Sequence, residues 1–174
     1  MQLDMQYCRR CGAKFIEHHS HVYTCPNKHV IYANASPAVA AIIVNSKGDI
    51  LVTRRAAEPK KGMLDLPGGY CDGAETLENA LYRELQEELD VTPQQYTKPI
   101  YLYSGTDDYE YGNETLPFLS CTFVVKLVED VIPAAKDDVA EAFFVPVNDI
   151  KPESFCYSNI QQALTIYINK ILHK

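Results

Sequence analysis

The chain has 174 residues, with 16 basic against 23 acidic side chains, a formal charge of -7, six cysteines and no tryptophan. That length suits one domain of ordinary size with a small appendage, and a hydrophobic fraction of 47% is enough for a packed core, which excludes a disordered chain. No apolar run approaches the roughly 18 residues of a bilayer span, the polar start has no signal-peptide core, and the acidic total argues against broad nucleic-acid binding; a cytoplasmic protein without membrane or nucleic-acid partners is expected.

In chain order, residues 1–32 hold three of the six cysteines and four of the five histidines, with little apolar periodicity. Such a segment cannot fold on its own core and needs a staple. The longest apolar run, 37–44, reads as a buried strand. Strands at 39–45 and 50–54 are joined by the turn-forming cluster Ser46-Lys47-Gly48-Asp49, which predicts a hairpin. A short strand at 64–66 ends at Pro67-Gly68-Gly69. Residues 76–89 contain no Gly or Pro and predict a helix. Strands are expected at 100–103, 116–127 and 142–145. A final helix aligns Ile160, Ala163, Leu164, Tyr167, Ile168 and Ile171 on one face. Strands interrupted by helices give a mixed α+β domain.

The negative charge is local. Residues 75–90 carry six acids and only Arg83, and residues 105–115, read as an acidic loop, add four more acids. Within the helix, Leu77, Leu81, Leu85 and Leu89 form one stripe at ~100° per residue, and Glu88 projects midway between Leu77 and Leu81. Glu84 lies at the margin of that stripe and Glu87 to one side. Carboxylates at this spacing repel, and partial burial makes them costly unless neutralised. A divalent cation such as magnesium or manganese is the simplest neutraliser. A solvated acidic face is the plain alternative. Against it stand the flexible Gly68-Gly69 turn, Glu75 at the positive end of the helix dipole, and Arg83 four residues before Glu87, within reach for a forked hydrogen bond.

At these residues the sequence resembles the Nudix hydrolases, whose signature reads G-x5-E-x7-R-E-U-x-E-E-x-G-U with U a bulky aliphatic residue. Gly69, Glu75, Arg83, Glu84, Leu85, Glu87, Glu88 and Val91 fit in register; Asp90 stands where the family has glycine. The resemblance implies a Nudix-type α/β/α sandwich with a mixed sheet over residues 33–174. It also implies cleavage of a nucleoside diphosphate linked to another moiety. By the same analogy Glu84, Glu87 and Glu88, with the Gly68 carbonyl and Glu141, hold Mg2+ or Mn2+. Either Glu84 or Glu141, the latter expected in a loop before the 142–145 strand, deprotonates the attacking water. Related enzymes often pair, so a homodimer is one expected state, with 101–111 as a candidate interface.

Cys8-x2-Cys11-x13-Cys25-x3-His29 offers three thiolates and one imidazole, a ligand set for tetrahedral structural zinc. It resembles the zinc ribbon that precedes the Nudix domain in the NADH pyrophosphatase branch, where the second knuckle is another C-x2-C. Lys28 occupies the fourth-ligand position here, which favours His29 while leaving His18, His19 and His21 as alternatives. Domains of 1–32 and 33–174 follow. That branch also carries a tryptophan-containing motif after the signature, and the chain has no tryptophan. Tyr103, Tyr109 and Tyr111 are candidates to stack on a base, and Lys60 and Lys61 to contact phosphate. An ADP-ribose-like or dinucleotide substrate is expected. A nucleotide-sensing module that uses the ribbon for partner contact is the alternative from another class.

Overall fold

The computed structural model describes residues 5–172. Near the start, β1 (Glu17–His19), β2 (Val22–Thr24) and β3 (Val30–Tyr32) form a small antiparallel sheet. Cys8, Cys25 and Ile31 form its small core, flanked by Met5, Ala13 and Phe15, and Tyr23 is buried beside them. So few apolar side chains cannot offset the entropy of ordering the segment, which gives the cysteines a structural task.

A second, six-stranded sheet contains β4 (Ser36–Val44), β5 (Ile50–Arg55), β6 (Leu64–Asp65), β7 (Ile100–Tyr111), β8 (Glu114–Lys126) and β9 (Val139–Val145). The order is β6-β5-β4-β8-β7, with β9 also paired to β5. β4 and β8 run parallel in an unbroken register from Ser36–Phe118 to Val44–Lys126, and the other pairings are antiparallel. The sheet is therefore mixed. Helix α1 (Leu77–Leu89) covers one face and α2 (Ser158–Leu172) the other.

The central strand β4 explains this layering. Ala38, Ala40, Ile42 and Val44 pack towards α2, while Val39, Ala41 and Ile43 pack towards α1. Period-two alternation with both sets apolar is what a strand covered on both faces requires. The α2 stripe is buried at Ile160, Ala163, Leu164 and Tyr167 and partly at Ile168, but it runs out at Ile171, which is exposed where the helix end passes the edge of the core. Helix α1 begins at the cap Thr76, whose side chain accepts from the Asn79 amide at 3.2 Å.

Two expectations about the chain need correction. Residues 105–115 are not a loop: β7 continues to Tyr111 and turns through Gly112-Asn113 into β8. Asp108 and Glu110 face outward along the strand, while Asp107 points in to accept hydrogen bonds from the Ser158 amide at 2.7 Å and hydroxyl at 2.8 Å. It caps α2 from a neighbouring strand, and against the upward push of burial these donors lower its carboxyl below the usual range. Second, β9 starts at Val139, so Glu141 lies inside a strand rather than before one.

Candidate active site

The segment after β6 runs alongside β4, with the Ala41 amide donating to Pro67 and the Val39 amide to Gly69, each at 2.9 Å. Between them Gly68 donates its own amide to Glu88 Oε2 at 2.9 Å, and among the described residues its carbonyl accepts no hydrogen bond. Gly68 has φ +141, and a Cβ there would lie 2.8 Å from Ala40 Cα and closer still to the Val39 carbonyl oxygen. A Cβ on Gly69 would meet Glu84 Oε1 at 2.6 Å. Both glycines let the backbone approach the carboxylates closely.

The apolar stripe of α1 carries Glu88 into the interior, where it is only 4% exposed. Burial, then the Asp138 carboxyl within hydrogen-bond reach, pushes its carboxyl up to about 10. Glu84 is also raised, first by burial. Arg83 acts as a clamp across the cluster. It donates to Glu75 at 3.2 and 3.0 Å, to Glu84 at 2.7 Å, to Glu87 at 3.0 Å and to the Tyr70 carbonyl at 2.8 Å. The contact to Glu75 holds that carboxyl below its ordinary range. One guanidinium thus serves Glu75, Glu84 and Glu87, with Asp72 at 3.8 Å, so carboxylates outnumber the one cation they share and hard oxygen donors are in excess. That donor set fits magnesium or manganese.

Glu141 stands apart from this cluster. Its partner is Arg54, at 3.0 Å, and strand alternation puts it on the same side as Phe143 and Val145, which pack in the α2 core. Among the described residues it makes no hydrogen bond or ion pair to the α1 glutamates. The loop carboxylate in the cluster is instead Asp138, which sequence reasoning missed. Its only advance signal was the acidic pair Asp137-Asp138 ahead of a strand, without diagnostic spacing.

A cleft of about 120 Å³ joins the cluster to the α2 side of the sheet. Gly68, Gly69 and Asp138 line one end, and Tyr70, Tyr109, Phe118 and Tyr157 the other, beside Arg55 and Asp65. Arg55 and Asp65 pair at 3.1 Å; burial opposes the Arg55 charge, but the adjacent carboxylate outweighs it and holds the guanidinium above its ordinary range. Among the described residues the Tyr157 hydroxyl is buried without a hydrogen-bond partner. Of the three tyrosines expected to stack, only Tyr109 reaches the cleft; Tyr111 is 73% exposed near the hairpin turn. Lys60 turns inward, donating to the Cys156 carbonyl at 2.6 Å with its ammonium 4.4 Å from the centre of the Tyr157 ring.

At the small sheet, Cys8, Cys11, Cys25 and His29 place their ligand atoms within 4.8 Å of one another. Cys11 and Cys25 sulfurs are 3.8 Å apart, and Cys8 Sγ is 3.6 Å from His29 Nδ1. A tetrahedron with zinc–sulfur bonds of about 2.3 Å has sulfur–sulfur edges of about 3.8 Å, so the spacing fits. Lys28 adopts φ 60 in the second knuckle and carries the chain one residue further to His29; His18, His19 and His21 are not in the group. The Ala13 amide, then Asn27, lowers the Cys11 thiol to about 6, favouring the thiolate a metal needs.

The family described as NUDIX domain matches residues 35–162. The chain belongs to that family and is a pyrophosphohydrolase. It is similar to an ADP-ribose pyrophosphatase of Methanocaldococcus jannaschii, 30% identical over 133 residues, covering 76% of this chain and 75% of that protein. An 8-oxo-dGTP diphosphatase of Escherichia coli is 46% identical over 57 residues, 32% of this chain and 44% of that one. In fold it matches the crystal structure of a NUDIX hydrolase from Nitrosomonas europaea, with a TM-score of 0.73 at 23% identity over 97% of this chain and 93% of that one. Among the described residues no helix is long and apolar enough to cross a membrane.

Proposed function

We propose that the chain cleaves the diphosphate bond of a nucleoside diphosphate linked to another moiety, with an ADP-ribose-like or dinucleotide substrate. The carrying observation is Glu88, buried in the α1 stripe, fixed by the Gly68 amide and beside Glu84 and Asp138. Glu84, Glu87, Glu88 and the Gly68 carbonyl would hold Mg2+ or Mn2+. When bound, such a cation neutralises phosphate oxygens and acidifies an attacking water. Arg83 keeps the carboxylates oriented, Glu75 braces Arg83, and Glu84 is positioned to take the water's proton.

The cleft supports a planar group next to the diphosphate. Its volume of about 120 Å³ is of the order of the roughly 150 Å³ cavity that accepts a benzene ring, so it suits one ring system rather than a whole nucleoside. Tyr70, Tyr109 and Phe118 offer aromatic faces and edges, and the Tyr157 hydroxyl offers an unused polar atom. The similarity to an ADP-ribose pyrophosphatase agrees with this substrate class. Structural zinc on Cys8, Cys11, Cys25 and His29 belongs to the same proposal, as do a ribbon of residues 1–32 before a catalytic domain of 33–174, affiliation with the ribbon-bearing branch similar to NADH pyrophosphatase, and a cytoplasmic setting.

A panel of NADH, ADP-ribose, diadenosine polyphosphates and sugar nucleotides, assayed with magnesium, tests the assignment. Release of a mononucleotide from at least one of the first three is expected. Tight binding without turnover across the panel would instead indicate a nucleotide-sensing module.

A further inference from the structure

Tyr70, Tyr109, Phe118 and Tyr157 come from separate elements yet close into one aromatic box. Tyr70 meets Tyr109 edge-on at 5.8 Å and Phe118 at 6.0 Å. Phe118 meets Tyr157 edge-on at 5.4 Å, and Tyr157 stacks on Tyr109 at 6.4 Å with the planes 22° apart. That last spacing is below the about 7 Å that a ring inserted between two others requires, so a planar ligand meets Tyr109 and Tyr157 as one surface. Tyr157 lines the cleft and is only 5% exposed, and among the described residues its hydroxyl has no partner. A buried polar atom of that kind calls for a ligand atom opposite it.

Tyr157 is held through its two neighbours. On one side the Cys156 amide donates to the Leu64 carbonyl at 2.9 Å, and the Cys156 carbonyl accepts from Lys60 Nζ at 2.6 Å. On the other side Ser158 opens α2. There Asp107 Oδ2 accepts from the Ser158 amide at 2.7 Å, the Ser158 hydroxyl at 2.8 Å and the Asn159 amide at 3.3 Å. Asp107 Oδ1 accepts from the Asp108 amide at 2.9 Å, which fixes the carboxylate on β7 two residues before Tyr109. Across the ladder Asp107 stands opposite Phe118. We propose that Asp107 is a positioning residue for substrate recognition: by capping α2 from β7 it sets Tyr157 against Tyr109 and Phe118, and so assembles the wall on which the planar group of the substrate packs. The proposal rests on the hydrolase function above. A cap supplied by the residue before the helix would satisfy the same amides and leave α2 free to shift along the sheet. A cap supplied by β7 couples the helix position to the cleft.

The test compares Asp107→Ala, Asp107→Asn and Asp130→Ala with the wild-type full chain. The readouts are thermal melting, near-ultraviolet circular dichroism, and steady-state kinetics on ADP-ribose and NADH with magnesium. The chain has twelve tyrosines and no tryptophan, so the near-ultraviolet signal reports tyrosine packing. Asp107→Ala should melt about 2–4 °C lower and lose part of that signal. It should raise KM about fivefold, the fold-change one cap interaction corresponds to, with kcat unchanged. Asparagine caps as well as aspartate, so Asp107→Asn should return both signal and KM to wild-type values. Asp130 accepts from the Ser46 amide at 2.9 Å and hydroxyl at 2.6 Å beyond the opposite end of β4; losing that similar link should change neither. A wild-type tyrosine signal or KM in Asp107→Ala would overturn the positioning role. Failure of Asp107→Asn to restore them would assign the effect to charge, and an equal KM rise in Asp130→Ala would assign it to general stability; either result overturns the role. A wild type that cleaves neither compound overturns the hydrolase function and the recognition role together, whereas a KM that stays put in Asp107→Ala while the wild type turns over overturns Asp107 alone.

Discussion

Substitution of Gly69 by alanine separates site geometry from folding. Gly69 lies outside the left-handed region, so its backbone accepts a Cβ. The new methyl would sit 2.6 Å from Glu84 Oε1, whereas ordinary contact begins at 3.4 Å, so the carboxylate must retreat by about 0.8 Å. The atoms it meets are the far end of a flexible side chain, and the strain is near the lower end of overpacking costs, about 1 kcal/mol. For a chain of this size that lowers the melting temperature by about 2–4 °C. Glu84 also receives the 2.7 Å bond from Arg83, so the clamp is dragged with it. A misplacement approaching 1 Å costs about 100-fold in rate, equivalent to about 2.7 kcal/mol of barrier. Mononucleotide release at saturating magnesium, together with a melting curve, reads both effects. Wild-type turnover with the small melting shift would refute the assignment of Glu84 to the reaction centre. Collapse of the fold would show that the clash falls on the backbone. Gly68→Ala provides the contrast, because its Cβ strikes β4 backbone and its φ is +141; that variant should not yield a stable protein.

Glu88→Gln should abolish turnover while the fold persists, and it carries a pH signature. The Glu88 carboxyl is raised from 4.5 to about 10, so in chelator the folded state keeps a proton that the unfolded chain releases. Stability should therefore fall as pH rises from about 4.5 towards 10, and melting curves of Glu88→Gln should lack that slope. Tyr157→Phe removes a buried hydroxyl without a partner, so it should melt at or above the wild-type temperature. If that hydroxyl binds the substrate ring, KM should rise about tenfold with kcat unchanged, a loss of uniform binding; an unchanged KM would take Tyr157 out of recognition. Elemental analysis should find one zinc per chain, and a strong chelator should unfold residues 1–32 while α1 and α2 stay helical. Less than half an equivalent would contradict the zinc site.

Much of this molecule follows from local pattern. The leucine stripe of α1 already placed Glu88 on the buried face, and its 4% exposure agrees. The unbroken apolar run at 37–44 announced a buried strand, as β4 is, and the Cys-x2-Cys spacing announced a metal knuckle. What escaped was tertiary. Asp107 reads as a solvated loop acid because aspartate is rare in strands, yet it is recruited there to cap α2. Glu141 has the right residue type near the right strand, but alternation turns it towards Arg54. Asp138 enters the site only because the 134–138 segment binds the end of α1, a contact without sequence period. The cleft between Tyr70, Tyr109, Phe118 and Tyr157 draws on four separate elements, and no single stretch of sequence encodes it.

The carboxylates of α1 serve hydrolysis of a diphosphate by water in the function proposed above. Turnover of ADP-ribose in ¹⁸O-labelled water with magnesium tests it directly, by mass analysis of the phosphorylated products. One labelled oxygen is expected in the phosphate of one product, with no reaction in chelator or in Glu88→Gln. Product free of label, or equal turnover in Glu88→Gln, would contradict it.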